Sequence, residues 1–216
     1  MTRFSSRYRA LEETGSGPHS LFSQVAASDA DLLSSVARGN RDAVATLYDR
    51  HGALIYRYSL RASGDVSIAE EVTQEVFLAM LRQANQFDPR RALLSTWLCA
   101  IARHLVWKQL RNRQRLVPLD ADDGPEQSTS MADNPDLLLT RRQAVELVRK
   151  GVDALPLQMK EVIILCEFEE MTYDDAAFVL EIPVGTVRSR LHRARARLAQ
   201  VLEAASQSPR KESSAL

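Results

Sequence analysis

Two stretches of this chain carry arginine and lysine with no acid to balance them. Between Ile182 and Leu202 stand Arg188, Arg190, Arg193, Arg195 and Arg197; between Arg103 and Arg115 stand Arg103, Lys108, Arg111, Arg113 and Arg115. A guanidinium presents its donors in a fixed fork that matches a phosphate or the N7 and O6 edge of guanine, so clusters of this kind point to nucleic acid. The plain alternative is a solvated helix face, but such a face usually mixes both signs. The segment from Ala62 to Leu81 has the opposite character: it holds Asp65, Glu70, Glu71 and Glu75 and no base, which suits a protein partner and does not suit DNA. Leu116 to Thr140 is acidic as well, with Asp120, Asp122, Asp123, Glu126, Asp133 and Asp136 and no base. The net charge of zero therefore conceals a segregation of charge along the chain.

Nothing in the residue inventory assembles a catalytic centre. Cys99 and Cys166 lie far apart in sequence, and His19, His51, His104 and His192 show no metal-site or catalytic spacing. The eight glycines form no phosphate-cradling loop. The expectation is a binding protein with structural thiols, no cofactor, no metal, no small-molecule substrate and no enzymatic activity. No stretch reaches the roughly 20 apolar residues that span a bilayer, and the start of the chain lacks the apolar run of a signal peptide. A cytoplasmic protein without membrane insertion is expected.

The elements that must carry these charges read as helices throughout. Residues 1–28 are rich in Ser, Gly and Arg, without periodicity, and read as a disordered tail. Leu32, Leu33 and Val36 form a first short stripe, Gly39 can end that helix with positive φ, and Asn40 can cap the next. Val44, Leu47, Tyr48, Leu54, Ile55 and Tyr58 recur at helical spacing up to a turn at Gly64-Asp65. Ser67 and Glu70 form a capping-box pattern before Val72, Val76, Phe77 and Met80. Asn85 to Leu94, which contains Asp88-Pro89, reads as a loop, after which Trp97, Leu98, Ile101, Ala102 and Leu105 start a helix whose other face shows His104, Trp107, Lys108 and Arg111. Periodicity returns at Leu137 and continues through Val145, Val148 and Val152, Pro156 suits the first turn of a helix over 157–168, and Thr172 with Asp175 makes a second capping box for Tyr173 to Leu180. Strand-like alternation is lacking, so the fold is predicted to be all-α.

A short helix, a break at Glu181-Ile182-Pro183 and a longer basic helix give Thr172 to Leu198 the proportions of a helix-turn-helix. Val187, Leu191, Ala194 and Leu198 fall on one buried stripe, and Arg188, Ser189, His192 and Arg193 form an outward patch near the helix start, where a recognition helix meets base edges. By itself this motif would equally suit a repressor or a response regulator.

The first half of the chain narrows the choice. Ala69-Glu-Glu-Val-Thr-Gln-Glu-Val-Phe77, then Phe87-Asp-Pro, then Ser95-Thr-Trp-Leu-Cys-Ala-Ile-Ala102 resemble region 2 of the extracytoplasmic-function sigma factors of bacterial RNA polymerase. Leu155-Pro156 and Pro183-Val-Gly-Thr-Val-Arg-Ser-Arg-Leu-His-Arg-Ala-Arg195 resemble their region 4. The resemblance implies two small helical domains joined by a flexible acidic linker, with region 2 at 29–115, the linker at 116–136, region 4 at 137–205 and a disordered tail at 206–216. It further implies that Glu70, Glu71, Gln74, Glu75 and Phe77 contribute to docking on core RNA polymerase. Phe87, Arg103, His104, Trp107, Lys108 and Arg111 would meet the melted minus-10 strand of promoter DNA, with Trp107 exposed for base stacking and Trp97 a packing residue. Thr186, Arg188, Ser189, His192 and Arg193 would meet the minus-35 duplex. An anti-sigma factor is the further partner that the family implies. Two positions depart from the family pattern: His104 stands where Asn is usual, and Glu170 where Gly is frequent. The acidic linker reads either as a solvated tether or as a segment that enters the RNA path of the polymerase.

Overall fold

The computed structural model describes residues 27–116 and 135–207. Helix α1 (Asp29–Ala37) opens on the Ser28 side chain, which accepts from the Asp31 N–H at 3.2 Å. Asn40 caps α2 (Arg41–Ser63) by accepting from the N–H groups of Asp42 and Ala43 at 2.9 and 3.3 Å. Gly39 and Gly64 end their helices at φ of 87° and 72°, a region that costs a glycine little. Helix α3 (Val66–Gln83) is followed by a single 3-10 turn at Ala84–Gln86, and α4 (Leu94–Leu116) crosses back over α2 and α3. The second half comprises α5 (Pro135–Asp153), α6 (Leu157–Ile163) with a π turn at Ile164–Phe168, α7 (Tyr173–Leu180) and α8 (Val184–Gln207). Strands are absent among the described residues, as the periodicity predicts.

The apolar stripes account for the packing. Leu33, Leu47, Ile55, Tyr58, Val72, Val76, Met80 and Leu98 are withdrawn from water between α1, α2, α3 and α4. Val162, Ile163, Ile164, Leu165, Val179, Val187, Leu191 and Ala194 do the same between α6, α7 and α8. Each such side chain contributes about 1.5–3 kcal/mol by leaving water, which outweighs the weak helix propensity of the valines and isoleucines. The two cores run into one another, because α4 packs against α7 and the π turn reaches α2.

Three local expectations are corrected. The cap of α3 is Asp65, whose carboxylate accepts from the Ile68 N–H at 2.9 Å, and Ser67 lies inside the helix. The turn at Ser63–Asp65 already brings an acceptor to the free N–H groups, two residues earlier than the Ser67 pattern suggests. The loop is shorter than predicted, since Leu94 is buried and begins α4. Val145 stands in solvent while Val148 and Val152 turn inward, so the stripe of α5 is narrower than its sequence implies. Residues 1–26, 117–134 and 208–216, on which the readings of the tails and of most of the linker fall, lie outside the described residues.

Glu170 supplies an answer to one departure from the family pattern. Its φ of 53° is the left-handed conformation that glycine adopts without penalty, so the turn before Thr172 keeps the geometry and bears the steric cost of a side chain. Glu181 does likewise at φ 55°, where it ends α7.

The capping correction is testable. Asp65→Ala should lower stability by about 1 kcal/mol and Ser67→Ala by no more than a few tenths, read from urea denaturation midpoints. Burial opposes ionisation of Asp65, yet the N–H of Ile68, the Arg113 guanidinium and the N–H of Ser67 together hold its carboxyl below the ordinary value of 3.8. The contribution is therefore present at neutral pH and lost as the pH falls through that lowered value, so the gap between the Asp65→Ala variant and the parent should close in acid.

Candidate nucleic-acid interface

The basic helix α8 is held by its buried stripe, with Val187, Leu191 and Ala194 out of contact with water and Leu198 half-buried. Thr172 caps α7 by accepting from the Asp175 N–H at 3.1 Å and donating to the Asp175 carboxylate at 2.6 Å, which fixes the short helix of the pair. Arg188, Ser189, His192 and Arg193 are all exposed, and Thr186 is half-buried at the helix start. The Arg188 guanidinium lies 5.8 Å from the centre of the Tyr173 ring, and Arg193 donates to the Ser189 carbonyl at 3.2 Å, so both forks are steadied at the first turns. Arg195 turns the other way and pairs with Glu167. The outward patch is thus smaller than the run of five arginines suggests.

On the opposite half, Glu70, Glu71 and Gln74 are exposed along α3 and Glu75 is half-buried. Glu71 accepts from the Gln109 side chain at 2.7 Å, and Asp65 pairs with Arg113, so α4 supports this acidic face from its flank. Phe77 is a core residue: it is buried, and its ring lies 4.8 Å from that of Tyr48. It shapes the acidic face from beneath and offers a partner no surface. Phe87 is half-buried against Trp97, with ring centres 5.5 Å apart, at the loop that precedes α4. His104, Lys108 and Arg111 are exposed along α4.

Two comparisons with known proteins identify these halves. The Sigma-70 region 2 family matches residues 47–116, and Sigma-70, region 4 matches residues 141–198. The ECF RNA polymerase sigma factor SigW of Bacillus subtilis is 30% identical over 177 residues, which cover 79% of this chain and 94% of SigW. The chain belongs to the ECF RNA polymerase sigma factors. SigE of Mycolicibacterium smegmatis is 29% identical over 160 residues, and the match spans 60% of its length. Among solved structures, CnrH in complex with the cytosolic domain of CnrY superposes with a TM-score of 0.61 at 26% identity, covering 82% of this chain and 97% of that one.

As an ECF sigma factor the chain shows an arrangement that the sequence did not predict. Trp107 is not free for stacking: it is half-buried, and its indole N–H donates to the Glu161 carboxylate of α6 at 2.9 Å. Arg103 donates to the same carboxylate at 2.6 Å. Farther along, Arg57 and Arg61 of α2 pair with Glu169 at the end of the π turn, with Arg61 also over the Phe168 ring at 5.0 Å. Thr96 donates to Asp175 at 2.7 Å between them. Glu161, Glu169, Arg57 and Arg61 escape a reading of the sequence because their partners lie 54 to 112 residues away, beyond any local pattern. The signal that could have found them is Glu161 itself, an acid at the inner edge of an apolar run.

Cys99 lies in α4 and Cys166 in the π turn, and neither has a thiol partner. Burial, and after it the Glu169 carboxylate, pushes the Cys99 thiol far above its usual range. Burial with Glu167 pushes Cys166 up to about 11. Among the described residues no three His, Cys, Asp or Glu side chains gather as a metal site, and no helix is long and apolar enough to cross a membrane. With the thiolate so disfavoured, Cys166 should react with a disulfide reagent at pH 8 roughly 100-fold more slowly than an ordinary cysteine, and Cys99 more slowly still. Denaturant should release both; fast modification of Cys99 in the folded chain would contradict its burial.

Proposed function

We propose that this ECF sigma factor acts by binding, with no catalytic step of its own, and that its differently charged faces divide the work. The exposed part of α3, Glu70, Glu71 and Gln74 with Glu75 at its edge, docks on core RNA polymerase. The loop at Phe87 and the α4 face of His104, Lys108 and Arg111 take the melted minus-10 strand, joined by Arg103 and Trp107 once Glu161 leaves them. Thr186, Arg188, Ser189, His192 and Arg193 of α8 hold the minus-35 duplex. The observation that carries this reading is the placement of an acidic face and two basic faces on separate helices, within a chain whose two halves match both sigma regions.

Docking and DNA capture need opposite potentials, because a clamp of acids would repel the phosphate backbone. The segregation resolves that conflict within one small chain. Domain limits near 29–115 and 137–205, with an acidic tether between them, are supported by the family matches to 47–116 and 141–198. An anti-sigma partner fits the same picture, as the similar CnrH also binds a partner protein and was solved with the cytosolic domain of CnrY. Such a factor works in the cytoplasm, where polymerase and promoter are.

Mixing the chain with core polymerase in the absence of DNA tests the reading directly. A near-stoichiometric complex is expected, and its loss in Glu71→Lys should leave stability within about 0.5 kcal/mol of the parent. Full retention by the reversed variant would remove α3 from the docking surface.

The recognition helix generates a second expectation. On single-base variants of the minus-35 element, Arg188→Ala in holoenzyme should lose about 1–3 kcal/mol of discrimination at one position, as befits a bidentate contact. Arg193→Ala should also weaken binding. Arg195→Ala, whose side chain is engaged by Glu167, and Arg197→Ala should leave sequence preference unchanged. Equal losses on every sequence for all four would mean that α8 grips phosphates alone.

A further inference from the structure

Arg57, Arg61 and Arg103 of region 2 make their ion pairs with acids of region 4: Arg57 and Arg61 with Glu169, Arg103 with Glu161. The two carboxylates give up water to do so, for the side chains of Glu161 and Glu169 are 7% and 0% exposed. The arginines remain at the rim, with Arg57 half in solvent. They lie along one contact between the halves, which also includes Trp107 on Glu161 and Thr96 on Asp175. The α4 side of this contact continues into the exposed His104, Lys108 and Arg111.

The contact cannot persist on a promoter. Minus-10 and minus-35 elements lie roughly 25 base pairs apart, about 85 Å at 3.4 Å per pair, whereas α4 and α7 touch through Thr96 and Asp175. Once region 4 moves to its element, three guanidinium groups lose their acids beside the strand that α4 receives. Glu161 and Glu169 are eight residues apart in sequence, about 12 Å along a helix at 1.5 Å per residue. A nucleic-acid strand places successive phosphates along a distance of that order. A carboxylate and a phosphate oxygen present the same acceptor to an arginine fork.

We propose that Arg57 and Arg61 are part of the DNA-binding surface of region 2, holding phosphates of the promoter strand together with Arg103, and that Glu161 and Glu169 occupy those guanidinium groups when the chain is closed. The inference rests on the assignment of the α4 face to the minus-10 strand. It adds α2 to that surface and makes region 4 the competitor of DNA for it.

Two measurements with the full chain decide it. In holoenzyme, Arg57→Ala and Arg61→Ala should each weaken promoter binding alike on all sequences and lower the salt slope by roughly one unit, and Arg61→Lys, which keeps the charge, should restore the slope. In the free chain, Glu161→Gln with Glu169→Gln should tighten binding to a single-stranded minus-10 oligonucleotide about tenfold if one chain in ten is open. Adding Arg57→Ala and Arg61→Ala to that pair should remove the gain. Arginines that serve only to hold the halves together would behave in the opposite way: their removal alone would tighten oligonucleotide binding in the free chain and leave the holoenzyme slope untouched, which would overturn the proposal. Lys108→Ala separates the two levels. A normal slope for that variant as well would mean that the α4 assignment has failed; a lowered slope for Lys108→Ala with normal slopes for Arg57→Ala and Arg61→Ala would mean that the inference alone has failed.

Discussion

A carboxylate withdrawn from water must find cations and donors in its new surroundings, or it will not stay ionised. Glu161 and Glu169 meet that requirement with side chains of the other half of the molecule: Arg103 and the Trp107 indole for the first, Arg57 and Arg61 for the second. Much of the relation between the two halves follows from this. Without those partners α6 and the π turn would carry two uncompensated charges against an apolar core. With them, both carboxylates are paired. The burial of Tyr58 belongs to the same balance, since desolvation and then the Glu161 carboxylate keep its phenol protonated far above the usual range.

Such pairs contribute modestly to net stability, because the loss of hydration offsets most of the Coulomb attraction. The cores inside each half, from Leu47 and Val72 to Leu98 and from Ile163 to Leu191, are of a different kind and are built mainly of apolar side chains. The ionic pairs are one part of the contact between the halves, and the apolar packing of α4 on α7 is the other.

Features set by neighbours in sequence are legible in the sequence itself. Asn40 and Thr172 cap the helices that their positions predict, Gly39 and Gly64 take positive φ, and the stripe of Val187, Leu191 and Ala194 is buried. The information is local in each case: a side-chain oxygen two or three residues from free N–H groups, or a repeat that matches the helical period. The exposed patch of α8 is readable for the same reason. Trp107 and Phe77 depart from expectation because a helical wheel shows which side of a helix a residue occupies and not what lies against that side. Trp107 faces away from the core of its own half, as its period requires, and meets Glu161 there. Asp65 displaces Ser67 as a cap because the turn at Gly64, which the sequence marks, already presents the Asp65 carboxylate to the Ile68 N–H two residues ahead of Ser67.

The π turn explains how one helical run can present two carboxylates to region 2. In a regular α-helix eight residues advance about 800°, which would leave Glu169 about 80° around the axis from Glu161. A π turn takes up roughly one extra residue per revolution, removing about 100° of that advance and bringing the two side chains to within about 20° of one line. The backbone shows the change where the Glu169 N–H bonds to the Ile164 carbonyl, five residues back, and the Met171 N–H to the Leu165 carbonyl, six back. Glu170 then turns the chain through its left-handed φ toward the Thr172 cap. The steric cost of that conformation is borne one residue beyond Glu169, where the helix must stop for the carboxylate to lie on Arg57 and Arg61 and for α7 to begin at an angle that sets Asp175 against Thr96. Widening the turn and breaking the helix are thus two parts of one geometric solution, and both serve the contact between the halves.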